Sequence, residues 1–222
     1  MGVRREERLM AGKVTAVCVA AGLTSVSGRV GVSGIDKRPV DGPVAVRDLG
    51  LFADVQCDRA HHGGIDKAVY AYSQEAILGW ERELGRELPP GAFGENLRTE
   101  GIAIDDAEFG ERWRIGTAEF TVSSVRTPCA TFQQWMGIDG WVRRFQERGL
   151  PGVYLHVAQS GTVQAGDEIE VLSRPGHGVT VARWFTDRGE HLARTLLAAA
   201  ASGAWRLSDH LRAKAEALVG GR

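Results

Sequence analysis

The sequence predicts a mainly β fold with inserted helices, an α+β core followed by a small helical region. Three observations carry this reading. Twenty-nine glycines in 222 residues mark many tight turns, and so many short strands. Several apolar runs alternate with period two, the side-chain period of a half-buried strand. After Arg174-Pro175-Gly176-His177-Gly178 the strand pattern gives way to alanine-rich helical periodicity.

The elements follow in order. Val14-Thr15-Ala16-Val17-Cys18-Val19-Ala20-Ala21 is short and rich in β-branched residues. It follows a mixed-charge head, Arg4-Arg5-Glu6-Glu7-Arg8, so it reads as a first core strand rather than a signal peptide. Residues 1–12 are expected to be a flexible N-terminus. Ser73 caps a helix with Ile77, Trp80 and Leu84 on one face, stopped at Gly85. Phe120-Thr121-Val122-Ser123, Val153-Tyr154-Leu155-His156-Val157 and Glu168-Ile169-Glu170-Val171-Leu172 alternate as strands, with turns at Ser160-Gly161 and Ala165-Gly166-Asp167. Trp141, Val142 and Phe145 line a helix ending at Gly149. Ser208 caps a last helix with Leu211, Ala215 and Leu218 on one face, stopped by Gly220. Short strands at this spacing point to a barrel or sandwich over residues 13–173. A small three-helix domain is expected over 179–222.

Composition excludes several function classes. The net charge of -1 gives no global basic excess to hold nucleic acid or an anionic membrane. The apolar run at the N-terminus is too short to span a bilayer. Cys18, Cys57 and Cys129 are an odd, sparse set, poor for a disulfide framework and suited to a reducing, cytoplasmic setting. Three thiols also cannot supply the four of an ordinary iron–sulfur cluster. There is no strand–GxGxxG–helix fingerprint and no phosphate loop ending in Gly-Lys-Ser/Thr. A redox reaction here would take its electrons from outside the chain.

Four clusters carry polar chemistry. Ser33-Gly34-Ile35-Asp36-Lys37-Arg38-Pro39 places two cations in a glycine-rich loop. Either can hold a phosphate, or both sit on a solvated loop tip. Asp58-Arg59-Ala60-His61-His62-Gly63-Gly64-Ile65-Asp66-Lys67, with Cys57 nearby, invites a zinc reading. Adjacent side chains on an extended chain point to opposite sides, so His61 and His62 do not share one ion easily. Gly63 and Gly64 let backbone approach a ligand. Phe93-Gly94-Glu95-Asn96-Leu97 offers donors and acceptors for a heterocycle, or is a capped turn. Arg126-Thr127-Pro128-Cys129 sets a thiol at a strand end. Arg126 there favours the thiolate, the form that binds metal or attacks. The alternative is an inert core cysteine, the reading given to Cys18.

Together and in this order, these clusters resemble the MOSC family, named for the C-terminal part of molybdenum cofactor sulfurases, and most of all its stand-alone bacterial YiiM-like subgroup. Val40-Asp41-Gly42-Pro43, Gln56 and Asp66-Lys67-Ala68 belong to the same match, which covers roughly residues 13–173. The resemblance implies a β-barrel-like MOSC core that binds the molybdenum cofactor (molybdopterin), a pterin dithiolene with a phosphate tail. Cys129 matches the family's molybdenum ligand, and thiolate is a soft donor suited to it. The implied cofactor-binding residues are Lys37, Arg38, Gly63, Lys67, Glu95, Asn96 and Arg126, with Asn96 at the pterin edge and a cation at the phosphate. His62 is the candidate proton donor. Val32 stands where relatives often carry Lys, His156 stands where Arg or another polar residue is common, and His61 is an extra histidine.

The activity so implied is reduction of small N-hydroxylated compounds, including hydroxylaminopurine-type base analogues, to amines. It needs an external electron-donor reductase. A second reading is a non-catalytic carrier or sulfur-handling module for the cofactor. A third is a metal-free enzyme with Cys129 as nucleophile and His62 as base. The helical tail reads as a packing appendage or homodimer contact, or as a docking site for the electron donor.

Overall fold

The computed structural model describes residues 10–27, 31–57 and 63–221. The first half of the chain forms strands β1 (Met10–Ala20), β2 (Thr24–Ser25), β3 (Val32–Ser33), β4 (Lys37–Pro39), β5 (Val44–Arg47), β6 (Gly50–Leu51) and β7 (Val69–Ser73), then helix α1 (Gln74–Leu84) and strand β8 (Leu97–Glu100). Strands β9 (Arg112–Ile115) and β10 (Ala118–Val125) lead to helices α2 (Ala130–Met136) and α3 (Trp141–Arg148). Strands β11 (Val153–Gln159), β12 (Gly161–Val163) and β13 (Glu168–Ser173) follow. The chain ends in α4 (Val181–Thr186), α5 (Glu190–Ala200) and α6 (Asp209–Val219).

Seven strands close a barrel in the order β9-β10-β11-β7-β8-β1-β13, with β13 returning to β9. Every neighbouring pair is antiparallel except β7 and β8, which run parallel with Ala71 opposite Leu97. A parallel pair needs a crossover, and α1 lies in that connection. β1 serves three partners along its length: β13 near Met10–Lys13, β8 over Lys13–Val17, and β4 over Cys18–Ala20. It starts at Met10, four residues ahead of the expected strand start at Val14 and within the stretch 1–12 expected to be a flexible N-terminus, because Met10 and Gly12 continue the ladder onto Glu170 and Ile169.

The expected strands and caps are present. Phe120 and Val122 of β10 and Val153 and Leu155 of β11 are fully buried, as their alternation requires. Ser73 Oγ accepts from the Ala76 N–H at 3.1 Å, and α1 stops at Gly85 in the left-handed region, φ 64°. Ser208 caps α6. The helices between strands fold onto one aromatic cluster. Phe93 packs edge-on against Phe132 at 5.3 Å and Trp141 at 5.6 Å, and Phe145 joins them. Losing one such ring costs about 3–5 kcal/mol. The apolar core continues from the barrel into the tail through Val179, Val181, Trp184, Leu196 and Leu211.

No helix among the described residues is long and apolar enough to cross a membrane.

Candidate functional site

A cavity of about 350 Å³ opens at one end of the barrel. Cys129 lies on its wall, half-buried, with an extended backbone one residue before α2. Phe132, one turn into α2, is buried in the aromatic cluster, and that packing fixes where Cys129 sits. β10 ends at Val125, so Arg126 and Cys129 leave the barrel together at a strand end.

Arg126 also lines the cavity and is only 7% exposed. Its Nη1 donates to the Phe93 carbonyl at 2.8 Å. The guanidinium lies 4.6 Å from the Tyr70 ring centre and 4.2 Å from that of Phe132, close enough for cation–π attraction. No carboxylate pairs with it among the described residues. Tyr70 and Tyr154 pack at 5.0 Å on the same wall. Burial pushes both phenols up, opposed by the Arg126 charge, so both stay protonated at neutral pH. Tyr70 Oη donates to the Pro151 carbonyl at 2.7 Å.

Lys37 also lines the cavity and forms a buried ion pair with Asp54. Burial pushes the Lys37 amine down, and Asp54 opposes that. Asn96 lines the same space. Its Nδ2 donates to Asp54 Oδ2 at 2.8 Å and to the Cys18 carbonyl at 3.2 Å, and its Oδ1 accepts from Tyr70 N–H at 3.0 Å. The amide donors are therefore committed to holding the wall. Glycine makes this approach possible: a Cβ on Gly91, at φ +90°, would stand 2.0 Å from the Lys37 carbonyl oxygen.

Five of the residues proposed from sequence thus share one cavity: Lys37, Lys67, Asn96, Arg126 and Cys129. Others lie elsewhere. Arg38 points to solvent with 70% of its side chain exposed and pairs with Asp36 at 3.0 Å. Glu95 is fully buried and does not line the cavity. It accepts from the Gly91 and Phe93 N–H groups, both at 2.9 Å, and pairs with buried Arg98. Gly63 is half-buried and outside the lining, and the adjacent Gly64 N–H donates to Gln56 Oε1 at 2.8 Å. His61 and His62 lie outside the described residues.

Sequence reasoning passed over Asp54, Tyr70 and Tyr154, and read Cys57, which also faces the cavity, only as part of a zinc set. Tyr70 had a signal, since Tyr70 and Tyr72 alternate directly after the Lys67 motif. Asp54 had none. Cys18 is buried under the barrel wall, and burial pushes its thiol up to about 12, which makes it inert.

The residues present fit a pterin dithiolene with a phosphate tail. A soft sulfur donor faces the cavity, aromatic and apolar groups line it, and a buried cation without a carboxylate waits on one wall.

The MOSC domain family matches residues 58–170. YflK of Bacillus subtilis (strain 168) is 36% identical over 184 residues, covering 79% of this chain and 82% of its own. YiiM of Escherichia coli (strain K12) is 35% identical over 146 residues, covering 64% and 65%. A protein named reductase from Gibberella moniliformis is 29% identical over 147 residues, covering 64% of this chain and only 26% of its own. The crystal structure of YiiM from Geobacillus stearothermophilus superposes with a TM-score of 0.75 at 26% identity, over 92% of this chain and 97% of that one. The fold and the matched region together establish that this chain belongs to the MOSC domain family.

Proposed function

We propose that the chain reduces N-hydroxylated compounds to amines with a bound molybdenum cofactor, Cys129 Sγ being the protein ligand to the metal. The balance is R–NHOH + 2 e⁻ + 2 H⁺ → R–NH₂ + H₂O. One observation carries the reading: the half-buried Cys129 thiol and the carboxylate-free Arg126 guanidinium face the same cavity. MOSC domains in general bind the molybdenum cofactor. The name reductase on one distant relative supports an oxidoreductase.

When bound, the cofactor supplies the two-electron chemistry. The chain's residues do the rest. Cys129 anchors the metal as a thiolate. Arg126 holds phosphate oxygens with its free N–H groups, a geometry suited to a planar fork. Lys67 adds a second cation on the cavity wall. Lys37, Asp54 and Asn96 form a wall that is neutral overall and fixed by mutual hydrogen bonds. The Tyr70 and Tyr154 rings exclude water from the guanidinium. His62 is proposed as the source of a substrate proton. The electrons come from an external reductase.

The test is turnover. Cofactor-loaded chain with reduced methyl viologen and an N-hydroxylated purine should form the amine. With NADH alone it should form none. Cofactor binding without amine under strong reductant would favour a non-catalytic carrier. Amine formed from NADH alone would overturn the external donor.

A further inference from the structure

We infer that a second cavity, between the outer face of the barrel and the link from α5 to α6, is a binding site for a small, neutral, planar nitrogen heterocycle. It holds about 220 Å³ and is lined by Arg112, Thr121, Ser123 and His156 on the barrel and by Trp205 and Arg206 on the link. Drug-sized sites hold about 300–1,000 Å³, so this one suits a single ring system.

The barrel wall of this cavity is one row of the sheet. Thr121 of β10 stands opposite Arg112 of β9 and opposite His156 of β11. Their neighbours Trp113, Val122 and Leu155 are buried inside the barrel, so alternation turns the row outward. Trp205 forms the facing wall. A Cβ on Gly110, at φ +89°, would stand 2.3 Å from the indole Cδ2, so a glycine is what lets the ring lie this close to the barrel. The His177 ring packs beside the indole with 5.6 Å between ring centres.

The hydrogen-bonding groups divide into spent and free. His156 Nδ1 lies 3.2 Å from the Ile65 carbonyl oxygen. A carbonyl only accepts, so in the neutral ring Nδ1 carries the proton and Nε2 keeps a lone pair. That Nε2 and the Thr121 hydroxyl have no partner among the described residues. The charges, in contrast, are answered within the chain. Asp66 takes Arg206, and Asp209 lies 3.4 Å from the same guanidinium. Glu119 takes Arg112 at 2.5 Å and Arg114 at 3.0 Å, and Glu170 takes Arg114 at 3.0 Å. These guanidiniums are matched by carboxylates, so the site holds no surplus cation for an anionic ligand.

A ligand is thus offered one acceptor, one hydroxyl and an indole surface. A heterocycle uses all three: a ring N–H or amino group donates to His156 Nε2, a ring nitrogen or carbonyl accepts from Thr121 Oγ1, and the ring packs on Trp205. A saturated polar molecule would leave the indole unused, and an anion would meet the carboxylates of Asp66 and Glu119. The site stands one turn from the larger cavity. Ser123 Oγ donates to the Asp66 carbonyl at 2.7 Å, and Lys67, the next residue, lines the larger cavity. A test must therefore tell the two cavities apart.

Calorimetric titration of the full chain with adenine, a neutral ring with adjacent donor and acceptor atoms, makes that test without turnover. Wild type should bind adenine with a Kd of about 1 mM or tighter. Trp205→Leu should weaken the binding about tenfold, and His156→Leu about fivefold. If Trp205→Leu melts early, Thr121→Val takes its place and should also weaken binding about fivefold. Arg126→Leu, which alters the larger cavity, should bind adenine like wild type. The proposal is overturned if adenine does not bind, if the second-cavity variants bind like wild type, or if Arg126→Leu abolishes the binding. It is also overturned if benzoate or inorganic phosphate binds and adenine does not. None of these outcomes bears on the reductase reading, which molybdenum content and amine formation decide.

Discussion

Lys37 and Asp54 form a buried ion pair in the cavity wall, and Asn96 donates to the same Asp54 oxygen at 2.8 Å. The Lys37 charge is thus answered within the chain. Arg126, equally buried, has no carboxylate among the described residues. The two cations therefore play different parts: Lys37 braces the wall, and Arg126 is left to meet an incoming anion.

Breaking the brace from one side should be costly. Asp54→Ala leaves Lys37 and Asn96 with buried, unanswered donors, a loss of about 3–5 kcal/mol. Replacing both partners by apolar residues, Lys37→Met with Asp54→Leu, should cost far less than the sum of the single changes. Urea unfolding of wild type, Lys37→Met, Asp54→Leu and the double variant checks this, and additive losses would contradict it.

Arg126 should behave in the opposite way. A buried cation lacking a counter-charge adds little to the empty fold, so Arg126→Leu should leave the cofactor-free melting temperature unchanged or raised. The same variant should retain less molybdenum per chain. A large drop in stability with normal molybdenum content would show that Arg126 serves the fold.

Asp105 predicts a pH signature. Its carboxylate is buried and accepts the Gly152 N–H at 2.8 Å. Burial pushes it up to about 6, only partly offset by that hydrogen bond. The folded state therefore holds a proton that the unfolded chain gives up near pH 4. Stability contributed by the protonated form is present below pH 4 and is lost as pH rises towards 6. Asp105→Asn should remove that slope and raise stability at pH 7 by about 1–3 kcal/mol, read from denaturant midpoints between pH 4 and 7.

The three thiols should separate on alkylation of the native, cofactor-free chain at pH 8. Cys57 and Cys129 face the cavity and should react. Cys18, fully buried with its thiol pushed up, should react only on unfolding. Loading the cofactor should protect Cys129. Rapid labelling of Cys18 in folded protein would contradict its burial where β1 pairs with β4.

Local features of the fold were legible because local rules produced them. Alternation announced β10, β11 and β13, and Ser73 with Gly85 bracketed α1. Closure was not legible. It depends on β1 pairing with both β8 and β13, contacts too distant in sequence to leave a periodic trace. The site divides in the same way. Arg126 and Cys129 lie three positions apart in one motif, and Lys37, Lys67 and Asn96 lie in others. Asp54 gains its role only when the fold brings it to Lys37 and Asn96. Glu95 looked like a free carboxylate in a turn, yet Arg98 and two backbone N–H groups consume it. Polar residue type was readable, and the partner that occupies each group was not.

The central claim is that Cys129 ligates molybdenum in a reductase. Its most direct test is molybdenum per chain together with amine formation under reduced methyl viologen. Wild type, Cys129→Ala and Cys57→Ala should be compared after expression in a cofactor-producing host. Wild type and Cys57→Ala should carry molybdenum and form amine, and Cys129→Ala should fall to background turnover. Full turnover and normal molybdenum in Cys129→Ala would contradict the account.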